Sequence, residues 1–399
     1  MLLSVCYCYT SLNNDMITDK KDRVMKFIPV FKPYIEKPEI DAATEALEMG
    51  WLGMGSYVDE FEKQISSICE LDEDSFAVSV STGHAALHLS LLILGVGKGD
   101  EVITPSFNNS ADFQAIVATG ASPVFVDVNE NDLCLNIESV KKAITKNTKC
   151  IISMDYDLFL CNHDELTRLG QEKGIVILHD AAHSFGSRYK GVPIGKQHQL
   201  TIFSFDPVKT VTCIDGGAII VKGQKTVERL HAMRLLGMTQ PSSQMYKNSR
   251  AWSYDIKDIG YRYHLANLHA AIGIAQLAKL NKIRTSRQRV CSLYMEHLKE
   301  NDCIIVPKTT LKDINPFLFY IRITDGKREK FRAHMHENGV DTGIHWQAGH
   351  HFTFFKKFAR EPLPITDKIS QEIVSIPLHS NMPENDIRKV IEVVNSFSG

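Results

Sequence analysis

The 399-residue chain contains no apolar run of the ~20 residues that a bilayer-crossing helix needs. It has no excess of either charge, since 45 Lys and Arg stand against 47 Asp and Glu. So balanced a chain offers no electrostatic footprint for nucleic acid or for an acidic membrane surface. Cysteine is present but unorganised: nine are scattered, and only Cys6 and Cys8 stand as a close pair, in an N-terminal tail. Cys69, Cys134, Cys150, Cys213 and Cys291 lie in apolar settings and read as core thiols of a protein kept in a reducing cytoplasm. The tail itself, MLLSVCYCYT, lacks both a basic start and a small-residue cleavage site, which argues against a signal peptide. Residues 1–25 are expected to be a disordered extension, or an upstream start before Met25.

What remains is an ordinary globular composition, 44% hydrophobic and 23% charged. The length exceeds the ~250–300 residues at which single cores stop growing. Two units are therefore expected, a large one over 26–275 and a small one over 276–399. Most of the chemistry is concentrated between Ile175 and Val221. There, apolar runs such as Ile175-Val-Ile-Leu178 and Leu200-Thr-Ile-Phe203 end in polar turns carrying Asp180, His183, Ser204 and Lys209. Unbroken β-branched runs suit strands buried on both faces, and open α/β sheets bind ligands outside the carboxyl ends of such strands. One carboxylate, one hydroxyl and one amine are thus presented together. Pyridoxal phosphate (PLP) chemistry uses this trio: a lysine forms the Schiff base and a carboxylate keeps the pyridine nitrogen protonated.

From about Phe27 onward, the motifs HDAAHSFG, FSFDPVK and DGGAII, in this order, resemble those of the DegT/DnrJ/StrS-type sugar-nucleotide aminotransferases. The resemblance implies a fold type I PLP enzyme: an α/β domain with a mostly parallel sheet flanked by helices, followed by a small α+β domain. It also implies a homodimer with its active sites at the interface. Lys209 and Asp180 take the catalytic positions, Ser204 holds the cofactor phosphate, and His183 lies near the phenolic oxygen.

Other segments follow the family with departures. Phe76–Val80, a turn at Ser81-Thr82-Gly83 and a helix from His84 make a strand–turn–helix anion site, in which free N–H groups face a phosphate. His84 replaces a hydroxyl residue there, so the backbone donors at Gly83 and His84 carry the contact. Where the family places a stacking aromatic ring, this chain has Asn108-Asn109. Either Phe107 takes over the stacking or a polar side chain covers that face, with Asn109 preferred. Leu158 stands at a turn position commonly glycine, and Asn162 at one commonly aspartate.

Trp51, in the loop Gly50-Trp-Leu-Gly-Met-Gly55, reads equally as a residue lining the substrate site or as a hydrophobic cover on the core. Arg262 is expected to reach the partner subunit's cofactor phosphate; the bland reading is a surface arginine. His345 and His350 resemble the family's segment near the sugar. With His351 they invite a metal reading, but no carboxylate or cysteine stands in ligand spacing and no metal is expected. Helices are expected over Leu277–Leu298 and Arg328–Asn338, and strands over Phe317–Ile323 and Thr342–Trp346. The activity implied is transfer of an amino group from an amino acid, glutamate by resemblance, to a keto sugar on a nucleoside diphosphate. The cofactor passes through its pyridoxamine form (PMP), and family members with His at the His183 position favour carbon 4 over carbon 3. The alternatives are a sugar dehydratase on the same scaffold, which Lys209 argues against, and a PLP-binding regulatory protein without turnover.

Overall fold

The computed structural model describes residues 27–239, 242–249 and 253–399, so the expected 1–25 extension lies outside the described residues. Seven strands build the main sheet: β1 (Ser75–Val80), β2 (Glu101–Pro105), β3 (Ser122–Val126), β4 (Thr148–Met154), β5 (Val176–Asp180), β6 (Leu200–Ser204) and β7 (Gly217–Lys222). Their order is β3-β2-β4-β5-β6-β7-β1, with β7 antiparallel to its two neighbours and the remaining pairs parallel. This is the expected mostly parallel α/β sheet.

Ahead of β5 the chain forms the helices α1 (Lys37–Glu48), α2 (Ser56–Ile68), α3 (Gly83–Ile93), α4 (Ser110–Ala118), α5 (Ile137–Ala143) and α6 (His163–Lys173). Both faces of the sheet are covered, which is why the strands read as continuous apolar runs. Val80, Val102, Ile152, Leu178, Ile202 and Ile219 pack toward α3 (Gly83–Ile93), α4 (Ser110–Ala118) and the helix Gln224–Met233. The alternate residues Ile103, Val124, Ile151 and Ile177 face the helix Ile137–Ala143 and α6 (His163–Lys173). At the β1 end, Ala77, Phe203, Ala218 and Ile220 face the helices Ser56–Ile68 and Asn267–Ala278. Side chains alternate across a strand, so one sequence run serves two layers. Strand β1 is also pinned through its backbone. Buried Glu62 accepts from Ser79 N and Oγ at 2.8 and 2.7 Å, and buried Arg234 pairs with the same carboxylate.

A second, three-stranded antiparallel sheet joins Ile304–Ile305, Phe319–Ile323 and Ile373–Ile376. Its core includes Val290, Tyr294, Phe331, Val390 and Phe397, and also Ile28 and Leu158 from the preceding chain. Leu158 is fully buried there, which accounts for its standing where a glycine is usual: the left-handed residue of the turn is Asp157 (φ 52°). Asn162 caps α6 through Oδ1, accepting from Glu165 N at 3.2 Å, a task Asn performs as well as Asp.

Two expectations need correction. The helix over Leu277–Leu298 is two helices, because Lys279 leaves helical geometry (φ −108°, ψ 15°) and turns its amine to Tyr34 O and Glu39. Thr342–Trp346 is not a strand. Only Gly343 pairs, with Ser375, after which His345 turns its ring to Ser375 Oγ and its carbonyl to Tyr156 Oη.

Candidate active site

The carboxyl ends of β5 and β6 and the turn after β1 converge. Strand β5 ends at Asp180, which is buried and accepts from Ala182 N at 2.9 Å through Oδ1. Strand β6 ends at Ser204, and the chain then closes a turn in which Lys209 N donates to Asp206 O at 3.0 Å. The turn brings the Lys209 amine over the Phe317 ring, 4.2 Å from its centroid. Burial lowers the pKa of Lys209, and Asp180, Asp206, Asp157 and Asp112 pull against it. A desolvated amine among carboxylates is a primed nucleophile.

The turn after β1 meets Ser204 edge on. A Cβ built on Gly83 would sit 2.8 Å from Ser204 Cβ and 2.9 Å from its Oγ, so only glycine fits. Gly217 is constrained likewise, since its Cβ would lie 2.4 Å from Thr82 O. Thr82 caps α3, taking Ala85 N at 2.9 Å, which leaves the N–H groups of Gly83 and His84 at the helix start beside the Ser204 hydroxyl. Helix donors, a hydroxyl and a glycine cradle suit a phosphate. The His84 ring is turned to Ala111 O, 3.1 Å from Nδ1, so its contribution is its backbone.

Asp180 is not alone. Asp112, from α4, is buried against it, held by Asn108 Nδ2, which donates to Oδ2 at 2.6 Å, and its Oδ1 has no hydrogen-bond partner among the described residues. Burial pushes both carboxyls up, Asp112 well up, with the charge of Asp180 adding to the push on Asp112. Of the two, Asp112 is pushed further toward its protonated form, while Ala182 N–H and Lys209 favour the charged form of Asp180, the chemistry that a pyridinium nitrogen calls for. Phosphate cradle, amine and carboxylate together fit PLP.

A profile of the DegT/DnrJ/EryC1/StrS aminotransferase family matches residues 33–395. The chain belongs to this family. Among solved structures, it is similar to the aminotransferase TlmJ from Streptoalloteichus hindustanus (27% identity, TM-score 0.85, covering 92% of this chain and 98% of that one). It is also similar to DesV from S. venezuelae, determined with a ketimine intermediate (30% identity, TM-score 0.80, covering 90% and 93%). The apo-form of Spr1654 from Streptococcus pneumoniae, described as a sugar aminotransferase, is 25% identical with a TM-score of 0.85 (92% and 97% covered). Spr1654 has also been determined in PLP- and PMP-forms. The protein is a PLP-dependent sugar aminotransferase.

Around the amine of this aminotransferase stands a ring of aromatic and imidazole groups. His183 is buried, 4.4 Å from the Phe317 ring and 6.1 Å from the Trp346 ring, centroid to centroid. His345 has its pKa pushed down to about 4, by burial and then by Lys209. Other expected residues are engaged with partners of their own. Asn109 caps α4, accepting from Ala111 N at 2.9 Å, and Phe107 is buried 5.4 Å from the Tyr156 ring. His350 accepts or donates at Ser106 Oγ (2.7 Å) and at Asp367 Oδ1 (3.0 Å) rather than facing Lys209. His351 meets the same Asp367 oxygen, a carboxylate that spacing along the chain did not reveal. Trp51 donates from its indole to Met54 O at 3.0 Å, and its carbonyl takes Asn267 Nδ2, docking the loop on a helix start. Arg262 is exposed and makes no ion pair among the described residues.

Sequence reasoning missed Asp112, Asp157, Phe317 and Trp346. Asp112 had one available signal: a carboxylate three residues beyond a helix cap, on the apolar side of α4. Phe317 reaches the amine, and Trp346 the His183 ring, from more than 100 residues away, and nothing local marks them.

Proposed function

We propose that this enzyme moves the amino group of glutamate to a keto-deoxy sugar carried on a nucleoside diphosphate, at carbon 4 in preference to carbon 3. The observation that carries the reading is the Lys209 amine, desolvated and surrounded by Asp180, Asp206, Asp157 and Asp112. PLP, when bound, supplies the electron sink for cleavage of the donor's Cα–H bond. Lys209 then serves as the base that removes the Cα proton and the acid that returns it, which a lowered amine pKa favours near neutrality. Asp180 holds a positive charge on the pyridine nitrogen. Ser204, with the N–H groups of Gly83 and His84, binds the phosphate, and Arg262 joins them from the other protomer of a homodimer. His345 and Trp51 are the residues proposed at the sugar, with His350 supporting that wall through Ser106. His183 faces the phenolic oxygen. We place the protein in the cytoplasm, and we divide it into a large unit over 26–275 and a small one over 276–399, joined where Leu158 enters the second core.

Among the described residues, no helix is long and apolar enough to cross a membrane. The test is incubation of the PLP-loaded enzyme with glutamate and a panel of nucleoside diphosphate 4-keto- and 3-keto-deoxy sugars, with products identified by NMR. The reading expects 2-oxoglutarate and an amine at carbon 4. An amine at carbon 3 would reverse the regiochemistry, and no sugar product with any member would remove the nucleotide-sugar assignment.

A further inference from the structure

Asp157 stands in the active site with nothing to bind. Tyr156 and Leu158 on either side are fully buried, Leu158 anchored in the second core. The left-handed backbone at Asp157 (φ 52°), a conformation that Asp tolerates better than most residues, turns its side chain toward Lys209 and His183. Both carboxyl oxygens are buried and have no hydrogen-bond partner among the described residues. Oδ1 lies 3.1 Å from Nδ1 of His183, close enough for a hydrogen bond but off its line, and that nitrogen is equally buried and unpartnered. The other polar groups about Asp157 are engaged elsewhere or do not neutralise it. Arg287 gives its guanidinium to the carbonyls of Pro316, Phe317 and Leu378, and Lys209 sits over Phe317. Tyr320 and Cys291 are neutral groups whose ionisation Asp157 further disfavours.

We propose that Asp157 is a positioning residue for the cofactor: its protonated carboxyl donates an O–H hydrogen bond to Nδ1 of His183 and so fixes the neutral imidazole with its N–H on Nε2, aimed at the cofactor's phenolic oxygen. This rests on the reading that His183 faces that oxygen. The protonation states agree with it. Burial pushes the Asp157 carboxyl well above the usual carboxylate range, against the pull of Lys209 and Arg287. His183 is held well below the ordinary histidine range by burial, then by Lys209 and His345. When a protonated carboxyl faces a neutral imidazole, the arrangement that uses both the O–H and the free imidazole lone pair is O–H to Nδ1 with N–H on Nε2. The Phe317 and Trp346 rings lie 4.4 and 6.1 Å from the imidazole, centroid to centroid. Asp180 acts at the pyridine nitrogen; Asp157 acts, through His183, at the phenolic oxygen.

The test uses full-length protein loaded with PLP, as wild type, Asp157→Asn and Asp157→Ala. The readouts are the pH at which the cofactor absorbance changes and the PLP dissociation constant of the apoprotein, followed by tryptophan fluorescence. A carboxamide still offers N–H to Nδ1, so Asp157→Asn keeps both values close to wild type. Asp157→Ala lets the proton settle on Nδ1, removes the donor from the phenolic oxygen, and raises the absorbance midpoint by about one pH unit. The dissociation constant rises about tenfold, as expected for loss of one hydrogen bond to a charged group. Melting of each apoprotein separates these shifts from a folding defect. An unchanged midpoint and dissociation constant in Asp157→Ala, or an Asp157→Asn protein that behaves like Asp157→Ala, would overturn the proposal. A wild-type protein that develops no cofactor band would instead overturn the cofactor reading beneath it.

Discussion

Asp155 and Asp157 are two residues apart just after β4, both almost fully buried, and their pKa values are pushed in opposite directions. Asp155 is saturated with donors. Cys161 N reaches Oδ1 at 2.9 Å, Ser184 Oγ and His179 Nε2 reach Oδ2 at 2.7 and 2.8 Å, and His163 Nε2 lies 3.1 Å from Oδ1. Burial pushes its pKa up, but His179 and His163 outweigh burial and hold it well below the usual carboxylate range. Asp157 has the same burial and no hydrogen bond, and its pKa goes the other way. Burial alone thus decides neither the charge nor the role of a carboxyl; the donors around it do. The first aspartate fastens β4, β5 and the start of α6 into one rigid edge. The second faces only the unpartnered Nδ1 of His183, beside Lys209, and functional sites are where locally unfavourable groups are tolerated.

Removing Asp155 should have the largest effect. Asp155→Ala strands two imidazoles, a hydroxyl and a backbone N–H in the interior and should destabilise the fold by about 3–5 kcal/mol, read by urea unfolding. The pH dependence carries the same signature. Because the folded pKa of Asp155 lies below the unfolded value of ~3.9, its contribution is complete above that value and is lost as the pH falls toward the depressed folded pKa. The variant should therefore lose part of the steep acid limb of the stability curve. An Asp155 variant as stable as wild type at neutral pH would erase the contrast between the two residues.

Asp157 should give a smaller effect of opposite sign. Its folded pKa is raised, so stability falls as the pH climbs from the unfolded value of ~3.9 toward the folded one, the unfolded chain ionising first. Asp157→Asn removes that titration and should stabilise the apoprotein at pH 7 by about 1 kcal/mol, on the scale of an unsatisfied buried polar group. Thermal melting of the two apoproteins across pH 4–8 checks it. The curves should coincide in acid and separate as the pH rises.

The same contrast explains what was legible in the sequence. The sheet, the helix starts at Gly83 and Ile137, and the trio of Asp180, Ser204 and Lys209 are local features of strand ends and turns, and each can be read from a few consecutive residues. Leu158 and Asn162 could be recognised as departures but not interpreted. The core that accepts Leu158 is assembled from chain more than 100 residues away, and Asn162 needed only its place at a helix start to be understood. Asp112 and Asp157 were invisible because a carboxylate's chemistry lies in its surroundings. Asp112 becomes unusual only once α4 brings it against Asp180, and Asp157 only when His183 lies beside it. Asn109 was placed near the cofactor by its position in a motif, and the motif did not reveal that its Oδ1 caps α4. For His350, the partners Ser106 and Asp367 come from distant or unmarked positions and could not be read from the motif.

The central claim is that Lys209 passes an amino group through the bound cofactor. Its most direct test is the absorbance of the PLP-loaded protein before and after glutamate, with no sugar present, alongside Lys209→Ala. The account predicts that the PLP band gives way to that of PMP in the wild type, with release of one 2-oxoglutarate per site, and that neither occurs in the variant at a comparable rate. Conversion in Lys209→Ala as fast as in the wild type would contradict it.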